Sequence, residues 1–534
     1  MVTDKKHEPA AFALMRGVKP SLRLRELIRI SQIRSWARIR KLIWAIPLCV
    51  SVCIAQTYNT PSNVSPIAYP ATIPCPSSSD RGCPIGALTG SGWTYTEPGF
   101  PDTPLLRVTD VDTPTTRPNP QWTVNCGGSA ETSPMSLNDD RFYVCSNGGQ
   151  IGIFSLSWPN ITHLYGTTCI LAGNPANCAP NLWFSRKVND IAYGDSLGSG
   201  RSGSVHLVIY KYNFASTSGY TKTMVKDLSG CLELLGTLIS NAYVDDATVS
   251  NDDQTFAVLG STTADQDSPG AVYVVVWNRT KGCRVWNTSS GTISGDYGPI
   301  GHISGTSDTF TLHNVRLGAG GDWVKVTWAN CLSGGCSSSY VENYLWQVGT
   351  RNVTVNSQAP DGCGHTAIGR ERMANQCFLG YQQAFWQRAN ASPSSGTLLP
   401  AAHPGSNDLD GFDQHMTWPQ GEPAAAYSTT VPTYTNGFNG PPDTNAWDGE
   451  GLALSTNGSG IVYRLFHTFN SYLCRSCFYT YNVLGAPSSD GAYYLFTTDW
   501  DGMLGNANGI TTACNPTSNC RGDVFLAKLP IATR

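Results

Sequence analysis

Histidine is scarce in this chain, with nine in 534 residues. Three of them, His313, His365 and His415, recur at intervals of 52 and 50 residues. At the corresponding points upstream stand Glu131, Asn189 with Asp190, and Asp245 with Asp246. Neutral imidazole and carboxylate together suit a divalent cation; Mn, Ca and Zn differ in the proportion of nitrogen to oxygen they accept. The competing reading needs no ligand: polar side chains at these points solvate an internal channel and bond backbone groups.

Such spacing has meaning only if the chain repeats. A short β stretch, a polar turn with Ser, Asp or Gly, and an apolar strand recur as Glu131-TSPMSLNDDRFYV, Asp245-DATVSNDDQTFAV, His313-NVRLGAGGDWVKVTW and Val483-LGAPSSDGAYYLF. Weaker copies begin near Asn189, His365 and His415, so successive starts lie 58, 56, 68, 52, 50 and 68 residues apart. The turn residues supply side-chain hydrogen bonds to the backbone and tolerate positive φ. The strands after them are nearly continuous apolar runs, as expected where both faces of a sheet meet neighbours. This period suits a four-stranded blade; it is short for an immunoglobulin-type sandwich and long for a β-helix coil. The expected fold is all-β, a single propeller of about seven blades, with tandem β-sandwiches as the rival. In a propeller, equivalent inner-strand positions converge on the central channel, which would put imidazoles on one side of its mouth and carboxylates on the other. The last strand, Asp523-VFLAKL, is expected to close the ring against Leu105-Leu106-Arg107-Val108-Thr109, because first and last edges need protection.

The Ser-x-Asp-Gly hairpins resemble those of TolB-like and WD40-like bacterial propellers. The run Phe496-TTDWDGMLG…RGDVFLAKL looks like the final blade of secreted bacterial proteins of that class. The resemblance covers about residues 104–530 and implies the fold more than an activity, since propellers host binding, lyase, hydrolase and scaffold roles alike. The histidine arrangement is similar to that of oligogalacturonate lyases, seven-bladed propellers that hold a metal through channel histidines. There the metal neutralises a uronate carboxylate so that the α-proton can be removed. That resemblance implies His313, His365 and His415 as ligands, Gln414 as a fourth channel group, and Arg370 or Arg372 as a bidentate partner for a substrate carboxylate. The closely spaced His pair of those enzymes has no counterpart here.

Other motifs point to structure. Cys474-Arg-Ser-Cys477 has redox spacing, but the residues after it read as strand where a thioredoxin-like site needs a helix, so a loop-closing disulfide is expected. Asp499-Trp-Asp501-Gly502 could lend oxygens to calcium, yet the acidic pattern of an EF-hand does not follow, and a turn is expected. There is no Gly-x-Ser-x-Gly, His-Glu-x-x-His or phosphate-cradling loop. Trp323, Trp328, Trp346 and Trp386 could stack on sugar rings, but packing between blades explains them equally well. Asn160, Asn278 and Asn352 open glycosylation sequons.

Composition sets the outer bounds. Only 14% of residues are charged, while Gly (54) and Pro (33) are plentiful, as in many short strands joined by turns. A net charge of −3 disfavours nucleic acid, whose binding needs a basic face. Residues 1–55 read as a long basic leader and export signal: the apolar run Leu42–Ile54 is too short to span a bilayer comfortably, and cleavage is expected after Ala55. An uncleaved anchor is the alternative, and Met15 is a second candidate start. Residues 56–103 read as a Pro/Ser/Thr-rich arm and 104–534 as the propeller. Of 18 cysteines, Cys49 and Cys53 lie in the signal, leaving an even 16. Proximity pairs Cys75 with Cys83, Cys126 with Cys145, Cys169 with Cys178, and Cys231 with Cys283. It likewise pairs Cys331 with Cys336, Cys363 with Cys377, Cys474 with Cys477, and Cys514 with Cys520, the disulfide complement of an oxidising compartment. Together these features predict a secreted or periplasmic monomer, a binding or scaffold module for a glycan, peptide or surface partner, without a membrane span once the signal is gone. The alternative is a metal-dependent lyase acting on a uronate polysaccharide, carrying one Mn, Ca or Zn ion.

Overall fold

Strands here run two to nine residues between tight turns, and most pair antiparallel with the next, so the chain builds sheets by meandering. The computed structural model describes residues 92–114, 121–124, 133–146, 150–168, 182–194, 207–236, 243–262, 269–332, 343–355, 363–370, 372–379, 381–388, 395–399, 414–418, 425–430, 449–456, 461–470, 484–504 and 520–530. Among them lie seven sheets. The first is β3 (Trp122–Thr123), β4 (Arg141–Ser146), β5 (Gln150–Ser157) and β6 (Asn160–Thr168); the second is β7 (Trp183–Phe184), β8 (Ile191–Gly194), β9 (Val208–Asn213) and β10 (Thr221–Asp227). The third has six strands: β11 (Tyr243–Val249), β12 (Thr255–Ser261), β13 (Ala271–Asn278), β14 (Gly282–Asn287), β15 (Thr292–Gly295) and β16 (Gly301–His302). The fourth runs from β17 (Phe310–Leu317) through β18 (Trp323–Cys331) and β19 (Asn343–Gln347) to β20 (Val353–Val355). The fifth comprises β21 (Cys363–Ile368), β22 (Arg372–Leu379), β23 (Tyr381–Arg388) and β24 (Ser395–Leu399), and the sixth β25 (Gln414–Thr417), β26 (Ala425–Thr430), β27 (Glu450–Ser455) and β28 (Val462–His467).

The seventh sheet joins the two ends of the described chain. Its order is β1 (Thr94–Thr96), β2 (Pro104–Arg107), β31 (Asp523–Lys528), β30 (Tyr493–Thr498) and β29 (Gly485–Pro487). Leu105, Leu106 and Arg107 pair with Ala527, Leu526 and Phe525, the closure expected from the sequence. Neither β2 nor β31 is left as a bare template for another chain's edge. The architecture is the all-β propeller read from the repeats. A single short helix, α1 (Ser229–Glu233), lies among the described residues, and none of their helices is long and apolar enough to cross a membrane.

Apolar clusters fill the spaces between successive sheets. Val274, Val276 and Trp286 of the third sheet meet Phe310, Leu312 and Tyr344 of the fourth. Leu106 and Leu526 of the seventh meet Phe142 and Phe154 of the first. This is why strands such as Thr255–Ser261 are buried at every residue instead of alternating. Trp323 and Trp346 are buried and Trp328 is partly so, all in such packing; the Trp386 side chain lies outside the described residues.

The disulfide between Cys231 and Cys283 forms as paired by sequence, pinning α1 to β14. Cys145 and Cys520 are also disulfide-bonded, and their expected partners Cys126 and Cys514 lie outside the described residues. Cys363 stands opposite Cys377 in the β21–β22 register. The thiols of Cys331, Cys363 and Cys377 lie outside the described residues, as does Cys336 altogether. Three further expected disulfides also fall outside them: Cys75 with Cys83, Cys169 with Cys178, and Cys474 with Cys477. The leader and residues 56–91 of the arm lie outside them too.

Candidate functional site

The first strand of each meander neighbours strands of the sheet before or after it, β7 with β11, β11 with β17, β21 with β25 and β25 with β29, as inner strands of a propeller do. These strands carry the histidines. His313 lies in β17, His365 in β21 and His415 in β25, with Gln414 opening β25. Asp245 and Asp246 lie in β11. The imidazoles of His365 and His415 and the side chains of Asp245, Asp246 and Gln414 lie outside the described residues, as does Glu131 altogether. His313 is half-buried and engaged with neighbouring groups.

Registers reveal what residue type alone did not. In β11 the ladder passes from Val244 opposite Gly260 to Asp246 opposite Leu259, skipping Asp245. In β17 it passes from Leu312 opposite Trp328 to Asn314 opposite Thr327, skipping His313. In β21 it passes from Cys363 opposite Cys377 to Thr366 opposite Asn375, so Gly364 and His365 face one partner residue. Three consecutive inner strands therefore bulge at or beside the residues singled out by spacing. A bulge removes a residue from the ladder, bends the strand and re-aims the side chain, which is why bulges gather near functional sites. β25 pairs without a bulge, with His415 opposite Thr429.

Asn189 and Asp190 fall elsewhere than their proposed equivalents. The inner strand of their sheet is β7, and both residues stand in the turn after it, one element later than Asp245 or His313. This turn is one residue longer than the others, with Ser185 N–H bonding Ile191 O six positions on. Elsewhere the turn is uniform. Ser136, Ser250 and Ser488 each accept the backbone N–H five residues on, from Arg141, Thr255 and Tyr493, at 2.9–3.0 Å. Each hydroxyl in turn donates to an aspartate within the turn, Asp140, Asp252 or Asp490. Position four takes a positive φ: 57° at Asp139 and Asp253, 72° at Gly491, and 79° at Gly321 in the matching turn after β17.

These turns are linked from sheet to sheet. Ser489 Oγ donates to Leu137 O at 3.3 Å, Asn138 N–H to Asn189 Oδ1 at 3.1 Å, and Ser185 Oγ to Asp253 Oδ2 at 2.7 Å. Asn251 N–H bonds Ala319 O, Ala319 N–H bonds Gly369 O, and Gly369 lies so close to the Trp418 ring that a Cβ there would stand 2.5 Å from it. The result is a band of inner-strand turns rich in ionisable groups. Arg186 is half-buried, and desolvation disfavours its cation, so that its pKa falls to about 10 despite Asp139, Asp490 and Asp253 nearby. Its guanidinium donates to Met135 O at 3.2 Å and to Ser133 Oγ. Burial also raises Asp253, whose Oδ2 accepts from Ser185 Oγ and, at 3.2 Å, from Tyr193 OH.

Arg370 is exposed in the β21–β22 turn, while Arg372 donates to Thr456 O at 2.9 Å and Thr456 Oγ1 at 3.1 Å, bracing the fifth sheet on the sixth. Asp499 is fully buried and Asp501 (φ 57°) donates its N–H to Phe469 O, with Trp500 stacked on Phe525 between them; this segment is a packed turn. Among the described residues no group of three His, Cys, Asp or Glu side chains is gathered closely enough to hold a metal.

No family model and no curated protein matches the chain. Among solved structures it is similar to an oligogalacturonate lyase from Vibrio parahaemolyticus, at 10% identity over 82% of this chain and 96% of that one, with a TM-score of 0.46. It is also similar to U3-55K, at 10% identity over 77% and 98% of the two chains with a TM-score of 0.38. A chain of the mitotic checkpoint complex matches at 14% identity over 59% and 83%, with a TM-score of 0.31. These are distant likenesses among propellers.

Proposed function

We propose that the chain is a binding propeller that engages a glycan, peptide or surface partner at its central channel. The observation that carries this reading is the run of bulges at Asp245, His313 and Gly364–His365 on three consecutive inner strands. Ladder pairing would be stronger without them, so a bulge repeated at one level argues for the side chains it re-aims. The turn band beside these strands offers hydrogen-bonding groups of both kinds, with Asn138, Asp140 and Asp252 exposed.

A second reading, metal-dependent cleavage of a uronate polysaccharide, is favoured by imidazoles at two of the three bulges. His313, His365 and His415, with Gln414, would hold Mn, Ca or Zn, which would neutralise a uronate carboxylate. In this reading Arg370, exposed in its turn, is the arginine that would meet a substrate carboxylate, while Arg372 braces Thr456.

The test compares the wild-type protein with a double variant carrying His313→Ala and His365→Ala, both checked for folding, in metal content and in binding to a glycan and peptide panel. Panel binding weakened at least tenfold in the variant supports the channel reading. A stoichiometric metal lost in the variant would move the conclusion to the enzyme, to be followed by assay on acidic polysaccharides. Undiminished panel binding by the variant, with no metal in either protein, would remove both.

A further inference from the structure

Asp139 occupies the left-handed corner of the turn before β4, and Asp490 lies in the matching turn between β29 and β30. Their carboxyl groups are hydrogen-bonded to one another where the seventh sheet meets the first. Two ionised carboxylates cannot make that bond, because each only accepts. Asp139 is 7% exposed, and its Oδ1 is buried without a donor. Its one backbone donor is Ser489 N–H. Asp490 Oδ1 already accepts from Ser488 Oγ at 3.0 Å and Ala492 N–H at 2.8 Å. A proton shared between the two carboxyls supplies the donor that their contact needs.

The other groups facing the pair come from three elements. Arg186, from the turn after β7, is the cation that opposes the rise at Asp139, and its terminal nitrogens bond Met135 O and Ser133 Oγ. Tyr493 of β30 feels both carboxyls. Asp253, from the turn after β11, and Tyr143 of β4 also act on the Arg186 charge.

We propose that Asp139 and Asp490 form a proton-dependent clasp on the seam between the first and last sheets, closed while they share one proton and loosened when both ionise. Burial first, then the bond to Asp490 and its repulsion, push Asp139 up to about 8, against the partial opposition of Arg186. The unfolded value is 3.8, so between these limits the folded chain keeps a proton that the unfolded chain has released. The stabilisation is therefore complete in acid and is lost as pH rises through about 8. The seam matters because the seventh sheet also holds the pairing of β2 with β31, on which ring closure depends.

The experiment measures Tm from pH 6 to 9.5 for the wild type, Asp139→Asn and Asp490→Asn, with hydrogen exchange of the wild type at both ends of the range, corrected for the intrinsic pH dependence. The wild type should lose about 2–5 °C over this range while Asp139→Asn, whose amide donates at every pH, stays level. Exchange should rise selectively in residues 136–142 and 485–493. Wild type and variant falling in parallel, or exchange rising evenly across all sheets, would overturn the clasp. Should Asp139→Asn not fold, Asp490→Asn supplies the donor from the other side, and the wild-type exchange map decides independently.

Discussion

Glu97 Oε1 lies 2.6 Å from Nδ1 of His467, both side chains buried, joining the segment after β1 to the end of β28 across 370 positions of sequence. Phe100 meets the imidazole edge-on at 4.9 Å, and Phe469 follows at 6.1 Å. The first strand is thus fastened both to its own sheet and to the sixth. Replacing His467 by Ala removes a partner from a buried carboxylate and leaves a void against Phe100, a loss of about 3 kcal/mol. Urea unfolding followed by tryptophan fluorescence measures it, since Trp93 and Trp500 pack in the same cluster. A change below about 1 kcal/mol would show that the segment is held by β1–β2 pairing alone.

A second buried network sits at the closing pair itself. Asp523, at the start of β31, bonds Arg107 of β2 and accepts from Arg521 Nη2 at 2.8 and 2.9 Å through its two oxygens; all three residues are fully buried. Thr109 Oγ1 donates to Asp523 Oδ1 at 3.4 Å and accepts Val524 N–H at 2.9 Å. Asp523→Ala takes the shared carboxylate from two fully buried guanidinium groups, and the expected cost is about 3–5 kcal/mol. Beyond stability, the variant should become a substrate for proteolysis near residue 100 before the rest of the chain is cut. Intact resistance there would place the strength of closure in the apolar pairs Leu105–Ala527 and Leu106–Leu526 instead.

The sequence was most informative where geometry repeats. The turn Ser136–Asp140, its copies at Ser250 and Ser488, and the buried strands after them were legible because one hydrogen-bonding scheme needs the same residues each time. The partner of β31 was legible because only an early strand could cover its edge. The bulges were not. A bulge is a relation between two strands, and Asp245 or His313 looks the same in sequence whether its partner strand has one residue opposite or none. Asn189 stands one element later than Asp245 or His313 because its copy of the turn opens Ser185-Arg186-Lys187, without the aspartate pattern by which the other turns were recognised. The Asp139–Asp490 contact joins residues 351 apart, and nothing in either turn alone announces the other.

The disulfide between Cys231 and Cys283 closes a span of 52 residues and ties α1 to β14. Constraining a loop of that length in the unfolded chain is worth about 2–4 kcal/mol. Replacing both cysteines by serine should lower the urea midpoint accordingly and raise hydrogen exchange in residues 228–236 above that in β12. The cluster around Leu228 and Leu232 keeps apolar contacts of its own with Val275 and Val285. An unchanged midpoint would mean that those contacts fix α1 unaided.

His163 in β6 gives the opposite pH sign to the carboxyl clasp. Burial lowers its pKa from 6.5, and no cation or carboxylate contributes to that shift. Its Nε2 is buried without a partner, and the ring meets Phe154 at 5.0 Å. The unfolded chain takes up this proton at a higher pH than the folded one. Stability is therefore full above the unfolded value and falls as pH drops through about 6.5 toward the depressed one. A His163→Phe variant keeps the aromatic contact and removes the titration, so its urea midpoint should fall less between pH 7.5 and pH 5 than that of the wild type. Equal falls would assign the acid sensitivity of this sheet to groups other than His163.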